Sequence, residues 1–278
     1  MNEAELLDIE VTLFLEALYR RHGYDFRNYA KASIRRRVAG LTSLAGVGSV
    51  AELIPRTLRD ASFLPEILAQ LSVPVTDMFR DAPVFQALRQ QVLPILASWP
   101  RLKIWQAGCA TGEEVYSLAI LLEEEGLLER TLIYATDIND LALKKAEDGI
   151  FPLAGLDDAQ KRHRESGGRR PLAEYGVSGH GYFRLDQRLR EHIVFAHHNL
   201  VCDGVFCEVH LVLCRNVMIY FDRELQARAL RLFHESLGRG GFLCLGTRES
   251  LRHFESDSGF AVVDRENRIF RRGEEKAA

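Results

Sequence analysis

The chain has 278 residues, of which 47% are hydrophobic and 27% charged, and 36 basic against 39 acidic side chains leave a formal net charge of -3. Such a composition is that of a soluble globular protein, long enough for one large domain or a medium domain with a small one. It excludes a protein that coats nucleic acid, which needs a strongly basic surface, and no apolar run reaches the length of a membrane span.

In chain order, residues 1-70 read as a small all-helical domain. LLDIEVTLFLEALYRRHG carries Leu7, Val11, Phe14, Leu15 and Leu18 at helical spacing, with Gly23 as a stop. NYAKASIRRRVAGL places Ile34, Val38 and Leu41 on one face, and SVAELIPRTL and SFLPEILAQL predict two further short helices. Residues 71-101 then join this unit to the rest. In LSVPVTDMFRD, Val73, Pro74, Val75 and Thr76 favour extended backbone, and DAPVFQALRQQVLPILASW returns to helix with an interruption near Pro94.

Residues 102-278 alternate strand and helix. RLKIWQA, TLIYATD, HIVFAHHN, HLVLCRN and GFLCLG predict apolar strands. EEVYSLAILLEEEG predicts a helix ending at Gly126, and NDLALKKAEDG a helix between Asn139 and Gly149. DRELQARALRLFHESLGRGG predicts an amphipathic helix with Leu225, Ala229, Leu232, Phe233 and Leu237 on one stripe, and FAVVDRENRIFRR a closing hairpin. The fold class is therefore an α/β sandwich with a mostly parallel sheet and an antiparallel edge. Residues 151-190 interrupt the alternation and read as an inserted subdomain of short strands, SGHGYFRLDQRL among them.

The N-terminal MNEAELLDIE has no basic stretch before an apolar core, so no signal peptide is expected. The five cysteines form no CxxC pair. Neither a disulfide framework nor a zinc site is expected, and a reducing, cytoplasmic compartment suits the chain. Nothing demands a dimer, and a monomer is expected.

In doubly wound sheets, ligands bind beyond the carboxyl ends of the strands. Those ends here are QAGCATGEE, ATDIND, HHNL and LCRNVMIYF. The first has Gly108 and Gly112 spaced G-x-x-x-G, followed by Glu113 and Glu114 where a phosphate loop carries Lys and Ser or Thr. A carboxylate there repels phosphate but accepts hydrogen bonds from an ammonium or a hydroxyl. Either glutamate also suits a helix N-terminus, so the two readings stay open for Glu113. Asp137, ending the second strand, suits a ribose diol, while the neighbouring Asn139 is the better helix cap. Asn199 reads an adenine edge or makes a turn. His197 and His198 point to opposite faces of a strand and are read as structural; no metal site is expected. Arg215, Asn216 and Tyr220 follow a buried strand, where polar groups need partners or a function. Cys109 lacks a basic partner and is not expected to act as a nucleophile.

These segments, LSVPVTDMFRD, IWQAGCATGEEVYSLAI, YATDIN, HNL and LCRNVMIYF, resemble the motifs of the chemotaxis receptor methyltransferases, the CheR family, in order over most of the chain. The resemblance implies a Rossmann-like methyltransferase sandwich with a seven-stranded sheet, a small N-terminal all-α domain and a small β insertion. It implies methyl transfer from S-adenosylmethionine to glutamates on the cytoplasmic helices of chemoreceptors, with S-adenosylhomocysteine as product. It implies that Thr76, Arg80, Glu114, Asp137, Asn199, Leu200, Arg215 and Asn216 line the cofactor site, and that Arg80 and Tyr220 lie near the reacting groups. Pro74 departs from the family, whose better-known members carry Asn there, so no cofactor contact is carried over.

Methyl transfer to a carboxylate needs alignment and no general base, because the carboxylate is already ionised at neutral pH. Arg27, Lys31 and Arg35 recur every four residues, with Arg36 and Arg37 beside them, and predict a basic face for an acidic helical target. The rival readings are a methyltransferase acting on a small molecule or RNA, a nicotinamide-dependent oxidoreductase, and a non-catalytic binding module. The absence of a basic groove with stacking aromatics opposes RNA, and Glu113-Glu114 opposes a pyrophosphate cofactor.

Overall fold

The computed structural model describes residues 2–72, 74–249, 251 and 259–273; Val73 of the expected linker lies outside the described residues. Four helices open the chain: α1 Glu3–His22, α2 Lys31–Ala45, α3 Leu53–Arg59 and α4 Leu64–Leu71. Asn2 caps α1 in a reciprocal box with Glu5, and Gly23 ends it in the left-handed conformation. Phe14, Leu18, Phe26, Val38, Leu41 and Phe63 are fully buried in a core of this unit's own. Two short helices follow, α5 Ala82–Ala87 and α6 Leu93–Leu96, with a π-helical stretch at Leu88–Val92 between them. Pro94 has no N–H for the carbonyl one turn back, and the wide turn absorbs the mismatch.

The remainder is built on β1 Leu102–Ala107, α7 Glu113–Glu124, β2 Thr131–Asp137 and α8 Asp140–Asp148. The insertion then contributes β3 Ile150–Pro152, α9 Leu156–Glu165, β4 Gly176–Gly179, β5 Tyr182–Leu185 and α10 Gln187–Arg190. The chain closes with β6 Ile193–His197, β7 Val209–Cys214, α11 Arg223–Ser236, β8 Leu237–Leu245, β9 Phe260–Asp264 and β10 Ile269–Arg272. The main sheet has seven strands in the order β6-β2-β1-β7-β8-β10-β9. All neighbours pair parallel except β10, which runs antiparallel to both β8 and β9. The chain order reverses between β1 and β7, which places the switch point beside the carboxyl end of β1.

Two details differ from the sequence-based expectation. The α11 stripe stops at Ser236, and Leu237 pairs with Val209 in the sheet; the Gly-Arg-Gly-Gly that follows forms an irregularity in register before Phe242 meets Leu211. The insertion also carries a ten-residue helix, α9, beside its three-stranded sheet β3-β5-β4. That helix buries only Ala159 and His163, too few apolar positions to mark a stripe. Leu172, Phe183, Leu185 and Leu189 anchor the insertion in the same apolar core as α7, and ion pairs add to that. The last turn of α7 offers Glu123, Glu124 and Glu125; Arg170 and Arg188 reach Glu123 at 2.6 Å, and Arg169 reaches Glu125 at 2.8 Å. Buried Tyr175 donates to Glu124 at 2.8 Å.

Trp105 centres the face of the sheet covered by α11. It is fully buried, donates to the Thr136 hydroxyl at 2.9 Å, and meets Phe206 and Phe233 edge-on. Trp105→Ala is expected to destabilise the fold by about 3–5 kcal/mol, read as a lowered urea midpoint with a little-changed slope.

Candidate active site

The carboxyl ends of β1, β2, β6 and β7 open into one cleft, lined by residues of both the helical unit and the sheet. The structure brings the eight residues Thr76, Arg80, Glu114, Asp137, Asn199, Leu200, Arg215 and Asn216 together here, and Tyr220 with them.

The floor is a buried ion pair. Arg215, following β7, donates to Glu114 at 2.6 Å and to Asp81 at 2.7 Å. It also donates to the Arg80 carbonyl at 3.2 Å. The other Glu114 oxygen accepts from Gln106 at 2.9 Å. Burial alone would lower the Arg215 pKa, but Glu114 and the other negative neighbours reverse that and hold it above its ordinary value. Arg215 is therefore a fixed cation tying together β7, the start of α7 and the linker.

The glycine loop between β1 and α7 works by proximity. Gly108 has φ +72, and a Cβ there would meet Val217 Cγ2 at 2.4 Å; Gly112 has φ +94, and its Cβ would meet Ala146 at 2.7 Å. The two glutamates separate. Glu114 lines the cleft, whereas Glu113 does not; its carboxylate accepts from the Thr111 hydroxyl at 2.7 Å at the head of α7. Glu113 is thus a helix-terminal charge, and burial raises its pKa.

Asp137 ends β2. Its two oxygens accept from Ala110 N at 2.8 Å and Asn139 N at 3.0 Å. Burial raises its pKa, and these backbone bonds only partly oppose the rise. Asn139 is the α8 cap, accepting from Leu141 N and Ala142 N. Asn199 Oδ1 accepts from Val201 N at 3.0 Å, so that oxygen makes a turn. The adenine-edge reading rests on its Nδ2 alone. Leu200 supplies a buried apolar wall. Pro74 also lines the cleft, with no N–H to offer. His198 lines the cleft but packs edge-on to Trp105, while His197 faces away to Asp140 at 2.9 Å. No metal-binding cluster exists among the described residues. Burial and the nearby Asp137 push the Cys109 thiol well up, away from nucleophilic use.

Several groups escaped sequence reasoning. Gln106 is a polar residue in an apolar strand, a signal that was present but unread. Asp81 follows Arg80 in left-handed conformation, φ 57. Glu249 accepts from Gly246 N at 2.6 Å, Asn216 N at 3.1 Å and Val217 N at 2.9 Å, and so fixes the turn that bears Asn216. Tyr29, Leu71 and Ser72 bring the helical unit into the cleft.

The basic face is only partly formed. Arg27 precedes α2 and pairs with Asp25 and Glu16, each at 2.9 Å. It does not share a helical face with Lys31, because the turn at residues 27–30 breaks the four-residue register. Lys31 and Arg36 are exposed, and Arg35 meets Asp8 at 3.1 Å in a solvent-facing pair. Arg37 turns inward to the Ser72 carbonyl at 2.9 Å and lies over the Tyr220 ring at 5.0 Å.

A doubly wound seven-stranded sheet, with a carboxylate-lined cleft at its switch point and no phosphate loop, defines a methyltransferase domain of the S-adenosylmethionine-binding class. The fit is also polar: Asn216 Oδ1 and Gln106 Oε1 are buried without protein partners on cleft-lining residues, as acceptors for a cationic ligand require. Residues 74–267 match the family model described as CheR methyltransferase, SAM binding domain, and residues 9–72 match CheR methyltransferase, all-alpha domain. The chain belongs to the CheR methyltransferase family. It is 48% identical over 272 residues to the Pseudomonas putida protein named "Putative methyltransferase Cher3", spanning 98% of this chain and 100% of the relative. It is 29% identical to the chemotaxis protein methyltransferase of Listeria monocytogenes, over 93% of this chain and 96% of that one. It is 30% identical to chemotaxis protein methyltransferase 1 of Pseudomonas aeruginosa, over 78% and 81%. No helix among the described residues is long and apolar enough to cross a membrane.

Arg215→Met leaves Glu114 and Asp81 without their common cation. It is expected to cost about 3–5 kcal/mol of stability in denaturant titration, more than a matched surface Arg→Met change.

Proposed function

We propose that this S-adenosylmethionine-dependent methyltransferase esterifies glutamate side chains on the cytoplasmic helices of methyl-accepting chemoreceptors, releasing S-adenosylhomocysteine. The observation that carries this reading is Arg80. It lines the cleft half-buried, and its guanidinium makes no hydrogen bond or ion pair with the described residues, unlike Arg215 below it. A fork of donors at the mouth of a cofactor cleft suits a carboxylate acceptor. The chemotaxis methyltransferases among its relatives support a receptor as the source of that carboxylate.

S-adenosylmethionine supplies an electrophilic methyl group on a sulfonium. The chain's residues bind and align. Asp137 accepts from the ribose hydroxyls, Asn199 Nδ2 and the Leu200 wall hold the adenine, and Asn216 with the Glu114–Arg215 floor receives the amino-acid end; Thr76 closes the linker side. Arg80 and Tyr220 orient the glutamate. The acceptor is ionised at neutral pH, so no residue has to remove a proton. Lys31, Arg35 and Arg36 offer a basic docking face for the acidic receptor helix.

Purified protein with methyl-labelled cofactor and receptor cytoplasmic fragments is expected to give alkali-labile label on glutamates. Arg80→Ala is expected to lower turnover about 100-fold with cofactor affinity nearly kept. Label on RNA, or unchanged turnover in that variant, contradicts the assignment.

The Asp137 role has a pH signature. Its folded pKa lies above the ordinary 3.8. Ribose hydroxyls need the ionised form, so affinity is full above the raised pKa and is lost as pH falls through it. Calorimetric titration is expected to show cofactor affinity falling at a pH above 3.8, while Asp137→Asn is weaker by about 1.5–3 kcal/mol at neutral pH and lacks that limb.

A further inference from the structure

Tyr220 belongs by sequence to the sheet domain, yet the helical unit holds it from two sides. Its carbonyl accepts from Ala30 N at 2.7 Å, and Asp222 N donates to the Asn28 carbonyl at 2.9 Å, so residues 28–30 clamp the backbone around it. Its ring lies 5.0 Å from the Arg37 guanidinium. The same guanidinium donates to the Ser72 carbonyl at 2.9 Å and to the Leu71 carbonyl at 3.4 Å, closing the open end of α4 where the chain enters the linker that carries Arg80. Ser72 in turn accepts from Asn139 Nδ2 at 2.9 Å, which fastens this corner to the cap of α8. Arg37 does not line the cleft, and neighbouring Arg36 on the same helix is exposed.

We infer that Arg37 is a positioning residue for methyl transfer. Its cation sets the Tyr220 ring, and its Nη1 donor sets the root of the Arg80 linker, so that both substrate-orienting side chains take their places from one residue of the helical unit. The inference rests on the proposed roles of Arg80 and Tyr220, and it separates Arg37 from the docking residues beside it. Orienting groups displaced by about 1 Å lose on the order of 100-fold in rate without losing binding.

The test compares Arg37→Met and Arg37→Lys with charge reversal at Arg35 and Arg36, using the full chain, methyl-labelled cofactor and receptor fragments. Arg37→Met is expected to lower kcat by about 100-fold while receptor KM and cofactor affinity stay close to wild type. Arg37→Lys keeps a cation near the ring but cannot hold Ser33 and the linker carbonyls at once, and should recover part of that loss. Charge reversal at Arg35 and Arg36 should raise KM and spare kcat. In a Tyr220→Ala background, Arg37→Met should cost much less than it does alone. A crystal structure of Arg37→Met should show the Tyr220 ring displaced, a readout that needs no receptor. An unmoved ring, a raised KM with kcat preserved, or full additivity with Tyr220→Ala overturns the inference. A wild-type protein that labels no receptor fragment overturns the proposed function alone, leaving the displaced ring to decide Arg37.

Discussion

The Arg215 guanidinium is the contact on which the remaining geometry depends. It leaves the end of β7 and is satisfied by the first turn of α7 through Glu114, by the linker through Asp81, and by the Arg80 carbonyl. A charge withdrawn from water at the bottom of a cleft is costly unless its partners are held in place. That requirement fixes three chain segments distant in sequence. Asp81 takes a left-handed conformation with φ 57, and Asn216, next to Arg215, takes one with φ 61. Strain of this kind persists only where surrounding contacts over-determine the backbone, and Glu249, accepting from three backbone N–H groups, is such a contact.

The helical unit is part of the site rather than an appendage. Tyr29 lies in the cleft wall, and burial together with the Asp137 carboxylate pushes its phenol pKa up. Its ring stacks edge-on against Phe221 at 5.1 Å, one residue beyond Tyr220. The wall facing the sheet ends is thus made of residues that also pack in the core of α1 to α4.

Much of this was legible from residues alone, for definite reasons. Strands such as KIWQA and TLIYAT are uninterrupted apolar runs because both faces of a parallel sheet are covered, and Asn139 announced itself as a cap by its place before an amphipathic helix. The assignment of the cap to Asn139 rather than Asp137 followed from that spacing. What was not legible depends on long-range partners. Nothing near Glu249 in sequence predicts that it gathers the amides of residues 216 and 217. The helix α9 carries no stripe because it buries only Ala159 and His163, and the arginine–glutamate pairs between the insertion and α7 join residues far apart in sequence. The four-residue recurrence of Arg27, Lys31 and Arg35 looked helical, but periodicity cannot see that Asp25 and Glu16 capture Arg27 in the turn before the helix begins.

The acidic glycine loop shows how charge is apportioned. Of its two glutamates, Glu113 is engaged by Thr111 at the helix head and Glu114 is neutralised by Arg215, so the loop presents little net charge to its ligand. Of the charged residues lining the cleft, this leaves Asp137 as the acid and Arg80 as the base without an ionic partner. A polyphosphate cofactor would find no compensating cation at the loop and a carboxylate beside it. A ligand with hydroxyls, an ammonium and a sulfonium meets acceptors at each step, and its positive charge lets an anionic acceptor approach a cleft that already contains Asp137. In the proposed reading Arg80 serves the acceptor because it is not consumed by the floor. One arginine buried and paired, with a second half-exposed and free, makes the same side chain structural in one position and available to substrate in the other.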